Sequence, residues 1–410
     1  MYPTKQQLEK YAELAVKVGV NVTPGQAVVV MAPIAAADLV RLITLKAYEV
    51  GAHHVYVEYN DEQLTKIKYL NAPEESFSEY PQWRAAAMEQ YAENGAAFIQ
   101  IYSPDPDLLN EVDPSRVATA AKAAATALSK YRSYLMAHKN AWTLISYATP
   151  EWAAKVFPGE TEGAALQKLW ERIIDATRID HEDPVSAWGV HNAKLSEIVK
   201  LLNNKSYKQL HYEAPGTSLT IDLPKGHIWL GGAKYNASGV LFNPNIPTEE
   251  VYTLPSKDGV NGTVRSTLPL NYNGVVIDGF SLTFKYGKVV DFTAEEGAEA
   301  LQKLLDTDPG ARSLGEVALV PHDSPISNSK VIFYNTLFDE NASCHLALGQ
   351  AYPVNLEGGK EMNSAELAQN GANQSLIHVD FMIGSAELSI DGITEDGQRE
   401  AVFRRGNWAF

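Results

Sequence analysis

Apolar residues in the first part of the chain change their period repeatedly. Between residues 4 and 18, Leu8, Tyr11, Ala12, Ala15 and Val16 recur at helical spacing, behind Pro3 and ahead of Gly19. Residues 27–32 (AVVVMA) follow as a short unbroken apolar run, the kind of strand that a parallel sheet buries on both faces. Residues 35–50 return to helical spacing and stop at Gly51, and 54–58 (HVYVE) read as a second strand. Residues 97–102 (AFIQIY) and 142–147 (WTLISY) read as a third and a fourth, with an alanine-rich helix over 115–131 between them. Strands alternating with helices predict a doubly wound parallel sheet over roughly residues 1–180.

The pattern shifts near Asp180. A helix is predicted where Leu195, Ile198, Val199 and Leu202 share a face, and beyond it short alternating runs such as LHYEAPGTSLTIDLP and GVVIDGFSLTFKYGKVVDFT take over. Pro-Gly, Lys-Gly, Asn-Gly and Tyr-Gly-Lys punctuate these runs, which predicts antiparallel hairpins and meanders. The expected fold is therefore α/β. A doubly wound parallel-sheet domain over residues 1–200 is followed by a mixed α+β, β-rich domain over 201–410 that carries the chemistry.

Composition narrows the function. A chain of 410 residues is too long for one ordinary core, which agrees with two domains. Its formal charge is −16, and phosphate binding needs basic patches, so nucleic acid is not an expected partner. The one cysteine, Cys344, excludes an intrachain disulfide and fits a reducing compartment. With no signal-like amino terminus and no run of 18 apolar residues, the expectation is a cytoplasmic protein with no membrane partner. The first predicted strand runs into MAPIAAADL rather than a glycine-rich turn, and no GxxxxGK[ST] occurs, so a nucleotide site is not expected in the first domain. His53 and His54 are adjacent on a strand and point to opposite faces, which argues against a ligand pair.

The candidate chemistry is concentrated between residues 249 and 380. Residues 338–352 (FDENASCHLALGQAY) hold Asp339, Glu340, Cys344, His345 and Tyr352. Upstream lie Glu249, Glu250 and Glu316; downstream, His378 and Asp380 interrupt the apolar run SLIHVDFMIG. Residues i and i+2 of a strand face the same side, so His378 and Asp380 project into one pocket. Only one of Glu249 and Glu250 can face a given side. Asn341 or Ser343 is expected to cap a short helix carrying His345, with Glu340 at its mouth and an end or bend at Gly349. Cys344 and His345 are adjacent and do not face each other, so the thiol reads as core packing rather than as a nucleophile. His322 and Asp323, between two prolines, read as a solvated loop. A set rich in carboxylates with one or two imidazoles and no thiolate suits two divalent ions that share a bridging group. HExxH and GxSxG are both missing, which removes single-zinc protease helices and the serine hydrolase elbow.

Together NIPTEEVY, VNGTV, LGEVALVPHDSPIS, FYNTLFDENASCHLALGQAY and HVDFMIG resemble the metal-dependent aminopeptidases of the aminopeptidase T / AmpS / PepS family, in the same order and across the whole chain. The resemblance implies release of N-terminal residues from peptides with a free amino terminus, a cytoplasmic homodimer, and two divalent ions per subunit (zinc or cobalt, with Mg or Mn as other possibilities). It implies Glu250, Glu316, His345, Tyr352, His378 and Asp380 as metal ligands, with Glu316 as the bridge. Glu340 falls beside them and is assigned as general base, with a role as metal ligand as the alternative, and catalysis is expected from Glu316 and Glu340. The alternative is another di-metal hydrolase, an amidase or phosphoesterase. The stretches 338–352 and 376–384 contain no Lys or Arg to hold a phosphate, which favours the peptidase.

Overall fold

The computed structural model describes residues 2–272 and 275–410; the Asn-Gly pair at 273–274, read above as a turn signal, lies outside them. The chain forms two compact units, Met1–His191 with Ala233–Pro247, and Asn192–Gly232 with Thr248–Phe410.

The first unit is built on a four-stranded parallel sheet. Its strands are His54–Asn60, Ala27–Pro33, Ala97–Ile101 and Trp142–Ile145, in that spatial order. Helices return the chain between strands, as the alternating periods require. The first, Lys5–Leu14, starts at a capping box. The Thr4 hydroxyl accepts from the Gln7 N–H, and the Gln7 side chain accepts in return from the Thr4 N–H. Val28, Val29 and Val30 are all fully buried, as expected of a strand covered on both faces. The alanine-rich segment is two helices rather than one, Pro114–Ala127 and Ser129–Met136. Leu128 leaves helical geometry between them (φ −92°, ψ 6°), a break that no glycine, proline or change of period announces. Residues 233–247 rejoin this unit by pairing beside the Trp142–Ile145 strand. There the Leu144 N–H donates to the Pro244 carbonyl (2.7 Å) and the Ile246 N–H to the Leu144 carbonyl (3.0 Å). A single boundary near residue 200 does not contain this return. No helix among the described residues is long and apolar enough to cross a membrane.

The second unit is mostly antiparallel. An eight-stranded sheet runs, in spatial order, through Lys288–Thr293, Ser281–Lys285, Val260–Arg265, Thr217–Asp222, Gln209–Ala214, Ser389–Ile393, Arg399–Arg404 and Asn407–Trp408. Its hairpins follow the turn chemistry. Pro215-Gly216 joins the pair that begins Ala214↔Thr217, with Gly216 at φ +77°, and Tyr286-Gly287 joins Lys285↔Lys288 with both residues at positive φ. A five-stranded sheet has the order His378–Met382, His345–Gly349, Leu314–Leu319, Val251–Thr253, Leu230–Gly231. One apolar cluster joins the two sheets, with Leu219, Val264, Leu282 and Phe403 from the larger and Val251, Val317, Leu346, Leu348 and Phe381 from the smaller. Leu195 and Leu202, on the helix face read from the sequence, are buried in the same cluster, and Ile198 and Val199 pack against it.

Candidate metal centre

The five-stranded sheet sorts its side chains by the two-residue period of a strand. Val251, Val317, Leu319, Leu346, Leu348 and Phe381 belong to the apolar cluster on one face. The intervening residues Tyr252, Glu316, Ala318, His345, Ala347, His378, Asp380 and Met382 lie on the other. Register then sets them side by side: Glu316 opposite Ala347 and Ala347 opposite Asp380, and Tyr252 opposite Ala318, Ala318 opposite His345 and His345 opposite Met382. Glu250 precedes the Tyr252 strand by one residue and shares its parity with Tyr252. Alanines at the middle of both rows keep the floor between the polar side chains low.

His345 therefore stands on a strand, not on the helix expected for it. The short helix Thr336–Asp339 is capped by Asn335, whose side chain accepts from the Leu337 N–H, and it passes through a 3₁₀ turn at Glu340–Ala342 before the strand begins. The predicted caps are engaged elsewhere. Asn341 donates to the Leu337 carbonyl (2.9 Å) and accepts from the Glu249 N–H (2.7 Å), and the Ser343 Oγ accepts from the Gly384 N–H (2.8 Å). Apolar Leu346 and Leu348, paired to strands on both sides, hold residues 345–349 extended instead. The strand ends at Gly349 (φ +103°), and Tyr352 lies beyond it, with its ring edge-on to His378 at 4.9 Å between centroids.

At the centre, His345 Nε2 lies 3.2 Å from Glu250 Oε2 and 3.6 Å from Glu316 Oε1. His378 Nε2 lies 3.4 Å from Asp380 Oδ1 and 4.0 Å from Glu316 Oε2. Glu316 thus turns one oxygen to each imidazole. Two groups follow, Glu250–Glu316–His345 and Glu316–His378–Asp380, each offering ligand atoms within 4.8 Å of one another and sharing Glu316. Both rings are fixed from behind: His345 Nδ1 donates to the Ser343 carbonyl (3.1 Å) and His378 Nδ1 to the Gln350 carbonyl (2.7 Å). Donation at Nδ1 leaves Nε2 as the lone-pair nitrogen of a neutral ring. A lone pair faces carboxylate oxygens at these distances only with a cation or a proton between them.

The titration of the cluster expresses the same crowding. Burial lowers the His378 imidazole, and Asp380 and Glu316 override it to raise its pKa to about 10. Burial lowers His345 as well, and the Glu250 and Glu316 carboxylates carry it well above the ordinary histidine value. Glu316 is pushed up by burial against the pull of His345 and His378. Burial pushes Asp380 up, but His378, whose Nε2 lies 3.4 Å from Asp380 Oδ1, holds it below its usual value. Glu340 is driven well above the carboxylate range by burial, then by the charges of Asp380 and Glu250; Asn341 Nδ2 donates to its Oε1 at 3.4 Å. Without an ion the cluster is held only by protons on the two imidazole Nε2 atoms; a hard divalent cation would take the place of those protons, using the Nε2 lone pairs and the carboxylate oxygens that converge on them.

Of the residues read from the sequence, Glu250, Glu316, His345, His378 and Asp380 converge here, and Tyr352 and Glu340 adjoin them. Glu249 is buried too, with its N–H held by Asn341. His322 and Asp323 lie on an exposed loop, and His53 and His54 are exposed on the other unit. Cys344 is buried in the apolar cluster, and burial pushes its thiol up to about 12, which suits packing rather than nucleophilic chemistry. Sequence reading missed Tyr252, whose phenol is held well above its usual pKa by burial and by Glu316 and Glu250. The two-residue period counted from Glu250 would have found it. Asp339, named with the candidates from the sequence, is instead a buried structural carboxylate that accepts from the Phe333 (2.8 Å) and Asn335 (3.1 Å) N–H groups and so closes the loop leading to Glu340.

The family model described as "Thermophilic metalloprotease (M29)" matches residues 4–408. The chain is 64% identical over 406 residues to "Aminopeptidase 2" of Geobacillus stearothermophilus, covering 99% of this chain and 98% of that one. It is 54% identical over 405 residues to "Aminopeptidase AmpS" of Bacillus subtilis (strain 168), covering 99% of each. Among solved structures, "Wild-type AmpT from Thermus thermophilus" superposes with a TM-score of 0.93 at 44% identity, covering 99% of this chain and 100% of that one.

Proposed function

The chain belongs to the thermophilic metalloprotease (M29) family, and on that premise we propose that it is a metal-dependent aminopeptidase that releases N-terminal amino acids from peptides at the Glu316 centre. The observation that carries the proposal is the pair of imidazoles, each donating from Nδ1 to a carbonyl and each turning Nε2 onto carboxylates that include Glu316. Glu250 and His345 would hold one divalent ion and His378 and Asp380 a second, with Glu316 offering an oxygen to each. Tyr352, beside His378, completes the set. When bound, such ions polarise the scissile carbonyl and lower the pKa of water. The protein's own residues do the rest. The Ser343 and Gln350 carbonyls fix the two rings, and the apolar face of the sheet holds its strands in register. With the charges of Asp380 and Glu250 offset by cations, Glu340 would be ionised, and it would then take the proton of the attacking water and pass it to the leaving amine. A homodimer and a cytoplasmic location complete the proposal and rest on the family resemblance.

The test is metal analysis of the purified protein alongside hydrolysis of a panel of aminoacyl chromogenic substrates. The proposal expects about two divalent ions per chain and cleavage that disappears on demetallation and returns with added ions. Full activity of a demetallated sample would sink it.

A further inference from the structure

The Glu316 strand is not regular. Leu314 pairs with Leu348, yet Glu316 pairs with Ala347, so two steps along this strand answer one step along its partner. In an unbroken strand Leu314 and Glu316 would share a face. The extra residue, Gly315, forms a β-bulge that separates them. Leu314 goes into the apolar cluster with Val317 and Leu319, and Glu316 turns to the opposite face beside His345. Without the bulge, either a carboxylate would enter the core or a leucine would occupy the centre.

Space around the bulge is equally specific. A Cβ at Gly315 would lie 2.4 Å from the Gln350 carbonyl oxygen and 2.5 Å from that of Gly349, both backbone atoms that cannot swing away. The Gln350 carbonyl is the group that accepts the Nδ1 proton of His378. Asn373, itself 4% exposed, clamps the same region, donating to the carbonyls of Gly310 (2.8 Å), Ser313 (3.4 Å) and Gly349 (2.6 Å).

We propose that Gly315 is a positioning residue for the metal centre. Its bulge aims Glu316, and its missing side chain lets the Gln350 carbonyl approach and orient His378, with Asn373 as the clamp. This rests on the reading of Glu316 and His378 as ligands. Neither Gly315 nor Asn373 is offered as a ligand or a catalytic residue; both act through the two side chains they place.

The experiment titrates ion-free Gly315→Ala, Asn373→Ala and wild-type protein with Zn²⁺ against a competing chromogenic chelator, with folding followed by circular dichroism. Met88→Ala, a core truncation in the first unit, controls for lost stability. Groups that orient a ligand typically change metal affinity by about 10–100-fold, so both variants should bind Zn²⁺ more weakly by that order while Met88→Ala does not. A folded Gly315→Ala protein with wild-type affinity would overturn the proposal. If that variant does not fold, Asn373→Ala decides alone: weakened binding supports the clamp, and unchanged binding removes it. Wild-type protein that takes up no Zn²⁺ would instead overturn the metal reading itself, before any variant is compared.

Discussion

Glu340→Gln separates a proton acceptor from a ligand. The amide has the same shape, and its oxygen can still accept from Asn341 Nδ2, now 3.4 Å from Glu340 Oε1. Glu340 is in neither group of candidate ligands, so both ions should remain. Its carboxyl is raised well above 4.5 by burial and then by Asp380 and Glu250. A raised carboxyl pKa means that ionisation at neutral pH works against the fold, so an uncharged amide should leave the ion-free protein at least as stable as wild type. Only the chemical step loses something. General acid–base catalysis is worth about 10²–10⁴-fold, or roughly 2.7–5.4 kcal/mol of barrier at about 1.36 kcal/mol per decade. The assay is kcat and KM on an aminoacyl chromogenic substrate, with metal content by mass spectrometry and a thermal melt. Expected are two ions, a KM close to wild type, an unchanged or raised Tm, and kcat down by that factor. Two ions with near-normal kcat would remove Glu340 from the mechanism. A lost ion, with the rate restored at high metal concentration, would make it a ligand.

Three further outcomes are expected. Because Glu316 belongs to both ligand groups and His378 to one, Glu316→Ala should lose both ions and His378→Ala about one, read as metal per chain; equal loss in the two variants would argue against the shared carboxylate. A site that recognises a free amino terminus leaves buried groups unpaired when that charge is capped, so N-acetylating a good peptide substrate should abolish its cleavage, and equal rates on both forms would point to an endopeptidase or amidase. On the other unit, burial lifts Glu62 from 4.5 to about 7, partly opposed by the Asp105 N–H. A folded-state pKa above the unfolded one gives stability that is present below pH 4.5 and lost as pH rises through about 7. Glu62→Gln should therefore gain Tm over wild type across that window and hold the gain above it; a difference independent of pH would refute the shift.

Part of the centre was open to local reading. The HxD spacing alone puts His378 and Asp380 on one side of a strand, and the structure has them 3.4 Å apart. The neighbours of Cys344 mark it as core, and it is buried there. His345 was misread because Asn341 and Ser343 are good helix caps in isolation. Nothing local shows that Asn341 is committed to Glu249, 92 positions away, or that Ser343 answers Gly384. The choice between Glu249 and Glu250 was open for the same reason, since two adjacent glutamates have the same chemistry until a neighbouring strand selects a face.

By itself, the sequence determined the parallel sheet of the first unit, the hairpin-rich character of the second, the absence of nucleotide-binding turns, and a short roster of carboxylates and imidazoles. These are properties of period and residue type, which a chain carries wherever it folds. Only the tertiary structure decided that Glu250, Glu316, His345, His378 and Asp380 meet, because register between strands far apart in sequence is set by packing on the opposite, apolar face. It also decided which way Glu316 points. That direction depends on one inserted residue, Gly315, where a Cβ would collide with the Gly349 and Gln350 carbonyls, and no periodicity within its own strand records it.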